Sequence, residues 1–251
     1  MADKGTIDMK SPEGPFLVLA LFILALGIGY AGTKIHDGLT EFRSYDNYVT
    51  VKGLAMRDVE ADLAVWPIAH VVTGDDLAVV QGILDDRTAD VIAFLQSNGV
   101  AESDIQKKNI SVVDRLAQSY RQNNPTQNRF ILTQTIIVRS LDIAAVSNAS
   151  QNIGKLIKQG VVLAQNNAQG PTYLFTKLND VKPAMIAEAT KNARDAADQF
   201  ASDSGQDVAG IRRANQGLFQ ILPRDQTYTI PESAQKLKTV RVVSTIDFYL
   251  E

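Results

Sequence analysis

ALGIGYAG, residues 25–32, spells glycine-x-glycine-x-x-glycine through Gly27, Gly29 and Gly32. The same spacing opens dinucleotide-binding α/β domains. There a short buried strand ends in a tight glycine turn, and a helix N-terminus meets the pyrophosphate. The run before it here, FLVLALFILAL, is 11 apolar residues, long for such a strand, and residues 14–33 are 20 consecutive positions without a charge. As a helix that segment is about 30 Å long, the thickness of a hydrocarbon bilayer core. The following TKIHDGLTEFRSYDN (33–47) carries no apolar stripe to pack a helix onto a parallel sheet. No regular series of strand–helix units comes after it. The glycines therefore belong to a membrane segment, where small residues let helices approach closely. No dinucleotide and no other cofactor is expected.

Two membrane readings compete. A cleaved export signal needs a basic start, an apolar core and a small-x-small site. The core fits and Gly29-Tyr30-Ala31 offers a site, but Lys4 and Lys10 are offset by Asp3, Asp8 and Glu13. An uncleaved anchor gains from Ala25/Gly29 and Gly27/Ala31, small-xxx-small pairs suited to packing against neighbouring helices. The balance favours the anchor. Lysine and arginine are similarly frequent on both flanks, so charge does not orient the segment. Either way the rest of the chain is expected outside the cytoplasm.

Composition narrows the chemistry. The 251-residue chain has a net charge of −3 and no cysteine. This excludes thiolate nucleophiles, disulfides and soft metal sites, and it advertises no basic face for nucleic acid. Histidine occurs twice, at His36 and His70, too few for a multi-histidine metal centre.

Along the chain, 1–14 reads as a tail, 15–32 as the membrane segment, 33–47 as a linker and 48–251 as one domain. YVTVKG (48–53) and DVEADLAV (58–65) alternate as strands, the second with Val59, Ala61, Leu63 and Val65 on one face. Pro67 implies a bend, a bulge or an edge. Residues 73–98 form a helix capped by Thr73 and Asp76 and stopped by Gly99, with Leu77, Val80, Leu84, Val91 and Leu95 buried. ISVVDRLAQSY (110–120) and RFILTQTIIVRS (129–140) form a hairpin. A helix over 142–159 buries Ile143, Val146, Ile153, Leu156 and Ile157. A long helix to Gly205, with Pro183 in its first turn, presents Ile186, Ala189, Ala193, Ala196 and Phe200. The last strand, TVRVVSTIDFYLE, alternates through Val240, Val242, Ile246, Phe248 and Leu250. The order ββ-α-ββ-α-β-α-ββ predicts an α+β fold, helices packed on a mainly antiparallel sheet after one N-terminal transmembrane helix.

Four pieces resemble the SIMPL-domain family of exported bacterial proteins. They are the opening strands with Ala61-Asp62, the helix end NGVAESDIQKKNISV, the passage FILTQTIIVRSLDI, and the helix AMIAEATKNARDAADQFASDSGQDVAG before a strand ending in DFYLE. Ala61 stands where the family often has proline. The resemblance implies an envelope or periplasmic protein of α+β fold, without an established reaction, loosely linked to stress tolerance and compatible with self-assembly.

Candidate chemistry is sparse. Asp58, Glu60 and Asp62 alternate along a strand at about 7 Å and are the one oxygen-rich candidate for a divalent cation, against the plainer reading of a solvated face. His70 is a lone histidine with a structural role expected. The glycine-x-serine-x-glycine elbow of serine hydrolases is absent from the sequence. Tyr120, Arg121 and Phe130 flank a polar loop, but an acidic chain argues against base stacking. The long loop 223–238, with Arg224, Tyr228, Lys236 and Lys238, is a candidate interaction surface. The leading expectation is a non-enzymatic, membrane-anchored envelope protein that self-assembles into a homo-oligomer, its partners being other copies of itself and membrane lipid. The alternative is an exported binding or chaperone-like module engaging envelope proteins. A hydrolase or a scavenger of reactive species has least support.

Overall fold

The computed structural model describes residues 14–44, 47–117, 128–164, 170–227 and 229–251. It is α+β, with antiparallel sheets and an apolar N-terminal helix, α1 (Gly14–Ser44). The element order continues β1 (Tyr48–Glu60), β2 (Leu63–Gly74), α2 (Leu77–Ser97), β3 (Ile105–Lys107), β4 (Ser111–Asp114) and β5 (Phe130–Ser140). Then come α3 (Ile143–Gln151), α4 (Gly154–Lys158), β6 (Thr172–Leu174), α5 (Leu178–Ser204), β7 (Val208–Gln216), β8 (Gln220–Pro223) and β9 (Leu237–Leu250). The chain gathers into two compact units, one of residues 54–188 and 218–243, the other of 1–53, 189–217 and 244–251.

The larger unit is built on β2 and β5. They pair antiparallel without a slip from Ala64↔Ser140 to Gly74↔Phe130. β5 reads FILTQTIIVRS, and its alternate residues Phe130, Leu132, Gln134, Ile136, Val138 and Ser140 are buried, as the period of a half-covered strand requires. Helices α2 and α3 pack on the strands. Trp66, Ile68, Val91, Leu95, Ile136, Val138, Val146 and Leu156 share one apolar cluster, and Val80, Leu84, Phe130 and Leu132 form another. Short β3 and β4 both pair with β5, and the expected hairpin is the β4–β5 pair, Ser111↔Thr133 to Asp114↔Phe130. Pro67 does not interrupt this ladder, in which it faces Ile137. It shares the strand parity of Ala69 and Val71, whose backbone groups bond Ala164 and Val162 on the other side. Its missing N–H thus points away from β5.

Several boundaries differ from the sequence reading, each because a distant partner decides. The two opening strands are one 13-residue strand and a second that begins at Leu63, so Ala61-Asp62 is a corner rather than mid-strand. Ala61 N–H donates to Lys236 O at 2.8 Å and Asp62 N–H to Leu174 O at 2.9 Å. Asp76 alone caps α2, accepting from Ala78 and Val79, because Thr73 is still paired in β2 with Ile131. Leu77, expected inside, is substantially exposed. The helix expected over 142–159 breaks into α3 and α4, and Ile157 faces solvent.

In the smaller unit the Ala-rich part of α5 lies against the outer ends of β1 and β9. Its buried stripe is Ala189, Ala193, Ala197 and Ala201, spaced by four, while Ala196 is half-buried and Phe200 is exposed. The expected stripe through Ala196 and Phe200 is therefore rotated. Gly53 explains why. A Cβ there would stand 1.8 Å from Ala189 O and 2.7 Å from Ala193 N, so strand and helix meet backbone to backbone. Val51, Ala193, Ala197, Ile246 and Phe248 close the core. Arg194 lies over the Phe248 ring at 4.9 Å, and β7 follows β9 through two register shifts.

Gly53→Ala is expected to lower the melting temperature by roughly 6–12 °C, the consequence of about 3 kcal/mol of overpacking in a chain of this size. Gly82→Ala is the control, because a Cβ at that position of α2 meets nothing within 4 Å. It should raise stability by about 0.5–1 kcal/mol through helix propensity. Thermal denaturation of the two variants checks both expectations.

Candidate functional site

Two polar side chains interrupt the apolar faces of the paired strands at the same level. His70 of β2 stands directly opposite Gln134 of β5, and both are buried. Ile68 and Ile136 precede and follow them on one side, and Leu132 and Val72 on the other. The polar pair therefore forms a seam between the two apolar clusters. Thr88 reaches it from α2. Its hydroxyl donates to Leu84 O at 2.8 Å, and its oxygen lies 3.0 Å from His70 Nε2. With the threonine hydroxyl donating to a carbonyl, the imidazole proton is assigned to Nε2, which then donates to Thr88. Nδ1 is then a bare acceptor, buried without a partner among the described residues. Burial pushes the His70 pKa below its ordinary 6.5, against a smaller opposing effect of a hydrogen bond to the Leu84 backbone.

Above the seam the sheet edge bulges. Lys107 pairs with Ile136 and Ser111 with Thr133, so Lys108, Asn109 and Ile110 span what two residues span on β5. One extra residue is a β-bulge, which tilts an edge and re-aims its side chains. The Gln134 amide fastens it by donating to Lys108 O and, at 3.3 Å, to Thr135 O. Lys108 N–H returns to Thr135 O at 2.9 Å.

Between the bulge and α2 lies a cleft of about 720 Å³ with Gln134 as floor. One flank of the helix forms a wall, Asp85, Thr88, Ala89, Ile92, Ala93 and Gln96, at the three-and-four spacing of a single helical face. Lys107, Lys108, Asn109 and Ile110 form the other. The volume suits a small organic ligand. The chemistry on offer is hydrogen bonding and positive charge. Thr88 Oγ1 stands within hydrogen-bond distance of both Leu84 O and His70 Nε2.

The residues singled out from sequence fall elsewhere. Asp58 accepts from Thr239 Oγ1 at 2.7 Å. Asp62 accepts from Thr176 N at 2.6 Å and Thr176 Oγ1 at 2.7 Å, tying the β1–β2 corner to the segment after β6. Glu60 is exposed. Asp58 and Asp62 are thus held by separate partners, and no three His, Asp or Glu side chains converge among the described residues. In the 223–238 loop, Arg224 meets Asp225 at 3.4 Å and Lys236 lies over the Tyr173 ring at 5.7 Å. Lys238 is fully buried, its ammonium bonded to the Glu232 carboxylate and, at 2.8 Å, to Glu232 O. Tyr228 lies outside the described residues, as do Tyr120 and Arg121. Phe130 is a core residue beneath the Arg129 guanidinium. In α1, Ala25, Gly27, Gly29 and Ala31 are all exposed. The cleft itself escaped the sequence reading, although one signal was present: a glutamine occupies an apolar-face position of the alternating strand β5, and a histidine interrupts the apolar run of β2.

Two pH dependences follow. A His70 that binds its proton less readily in the folded chain makes stability full above about pH 6.5 and lower as pH falls through that value, levelling below the folded pKa. The loss should reach at most about 1.4 kcal/mol at pH 5.5. His70→Leu should flatten the change in melting temperature between pH 7.5 and 5.5, since Thr88 keeps Leu84 as its acceptor. Asp62 titrates in a separate window. Burial raises its pKa, but the Thr176 hydrogen bonds and Lys177 outweigh burial and hold it below 3.8. Its contribution is present above the ordinary carboxylate range and is lost as pH falls through the folded value. Asp62→Asn should cost about 1 kcal/mol at pH 7 in a denaturant titration and remove that acid-range dependence.

No curated protein matches the chain. A family profile does, over residues 49–245: SIMPL, a protein of unknown function (DUF541). The match covers β1, the paired strands β2 and β5, the cleft, the Ala-rich helix and most of β9. This chain belongs to the SIMPL family.

Proposed function

We propose that the chain is a non-enzymatic envelope protein, held on a membrane by α1 with its SIMPL domain on the exported side, that works as a homo-oligomer. The observation that carries this reading is α1 itself. Its window Val18–Ile35 has mean hydropathy 1.9, and none of it is buried against protein. Eighteen residues of helix measure about 27 Å, close to a bilayer core. Each of its leucine, isoleucine and phenylalanine side chains gains about 1.5–3 kcal/mol on leaving water, so such a face does not rest exposed to solvent. A Cβ at Gly27, Gly29 or Gly32 would meet nothing within 4 Å. The chain's own fold gives these glycines no task, and contact with the same helix in another copy would use them. The non-enzymatic part is supported by the absence of cysteine from the chain and by a buried His70 whose Nε2 partner is a committed threonine. The alternative, a module engaging envelope proteins through the 223–238 loop, has weaker support because Arg224, Lys236 and Lys238 are already engaged near the loop.

Native mass spectrometry of the full chain extracted in mild detergent tests the proposal. The expected result is a defined multimer of intact 27.4 kDa subunits, shifted towards monomer by Gly27→Leu with Gly29→Leu. A monomer, or subunits lacking the first 31 or so residues, would overturn it.

A further inference from the structure

We propose that the cleft between α2 and the bulged edge is a binding site for a small amphiphilic anion, a carboxylate or phosphate head on a short apolar body. The reading goes beyond membrane tethering and does not rest on it. The head is assigned by Lys107 and Lys108, adjacent and exposed on one wall, neither with an ion-pair partner among the described residues. The lining holds one carboxylate, Asp85, on the opposite wall, where it accepts from the Gln81 amide at 3.1 Å. Its place along the cleft follows from the packing. Val80 and Leu84 sit with Phe130 and Leu132, whereas Val91 and Leu95 sit with Ile136 and Val138. The α2 turn of Asp85 therefore lies towards Ile110, and that of Gln96 towards Lys107. Head and carboxylate are kept at different ends. Between Asp85 and Gln96 the helical wall carries Ala89, Ile92 and Ala93, and with Ile110 these supply the apolar contact.

The same edge argues against an extended peptide. β3 and β4 are three and four residues long and are separated by the bulge. A strand added in register with one would be out of register with the other. A free small molecule needs no ladder.

Isothermal titration calorimetry on the full chain in phosphatidylcholine nanodiscs, with empty discs subtracted, tests the assignment. The probes are hexyl phosphate, hexanoate, inorganic phosphate, 1-hexanol and an acidic hexapeptide. Expected is saturable one-site binding of both amphiphilic anions, with inorganic phosphate and 1-hexanol each at least tenfold weaker. Lys107→Ala with Lys108→Ala should weaken the anions at least tenfold, and Ala93→Trp, at an exposed position that narrows the cleft, should abolish binding without lowering the melting temperature. The proposal is overturned by any of four results. These are no saturation with either amphiphile, unchanged affinity in both variants, inorganic phosphate binding as tightly as hexyl phosphate, and binding of the peptide in place of the small anions.

Discussion

The pairing of β2 with β5 is the constraint from which the larger unit follows. Eleven residues of one strand face eleven of the other without a slip, and a shift by one residue would turn every buried side chain to the wrong face. That register brings Trp66 and Ile68 onto the same side as Ile136 and Val138, and it gives α2 and α3 a surface to cover. It also sets His70 against Gln134. The short strands β3, β4 and β6 each borrow one of the two long strands as their only partner among the described residues. None of the three is long enough to persist alone.

A buried polar seam inside an apolar core is costly unless its hydrogen bonds are made. Here Thr88 and Gln134 make most of them, and they spend them on backbone: Leu84 O on the helix, Lys108 O and Thr135 O at the edge. The seam is thus what holds the bulge open beside α2. One imidazole nitrogen is left over. The energetic consequence is a core tuned to a neutral histidine, and the structural consequence is a cleft with a polar floor beside a helical wall that carries Ala89, Ile92 and Ala93 between Asp85 and Gln96.

Much of the fold was legible in the chain. FILTQTIIVRS alternates so regularly that β5 could be placed to within one residue, and the valine, isoleucine and phenylalanine series of β9 is equally plain. The apolar run of α1 is its own argument. Less legible were the phase of the alanine stripe in α5, which depends on Gly53 of a distant strand, and the corner at Ala61-Asp62, which depends on Lys236, Leu174 and Thr176. The cleft was least legible. Gln134 and His70 each broke a pattern visibly, but a broken pattern names no partner, and the bulge emerges only when Lys108, Asn109 and Ile110 are counted against β5.

Local periodicity and composition therefore determined the α+β class, the antiparallel hairpin, the membrane-length helix and the absence of thiol chemistry. These are properties of neighbouring residues, set by side-chain spacing along a helix or strand and by which side chains exist at all. Tertiary structure decided the register, the helix faces, the capture of Asp58, Asp62 and Lys238 by separate partners, and the joining of His70, Thr88 and Gln134 beneath the edge. Each of these depends on a contact between segments far apart in the chain. A residue can be polar, charged or small for many reasons, and only the atom packed against it selects among them.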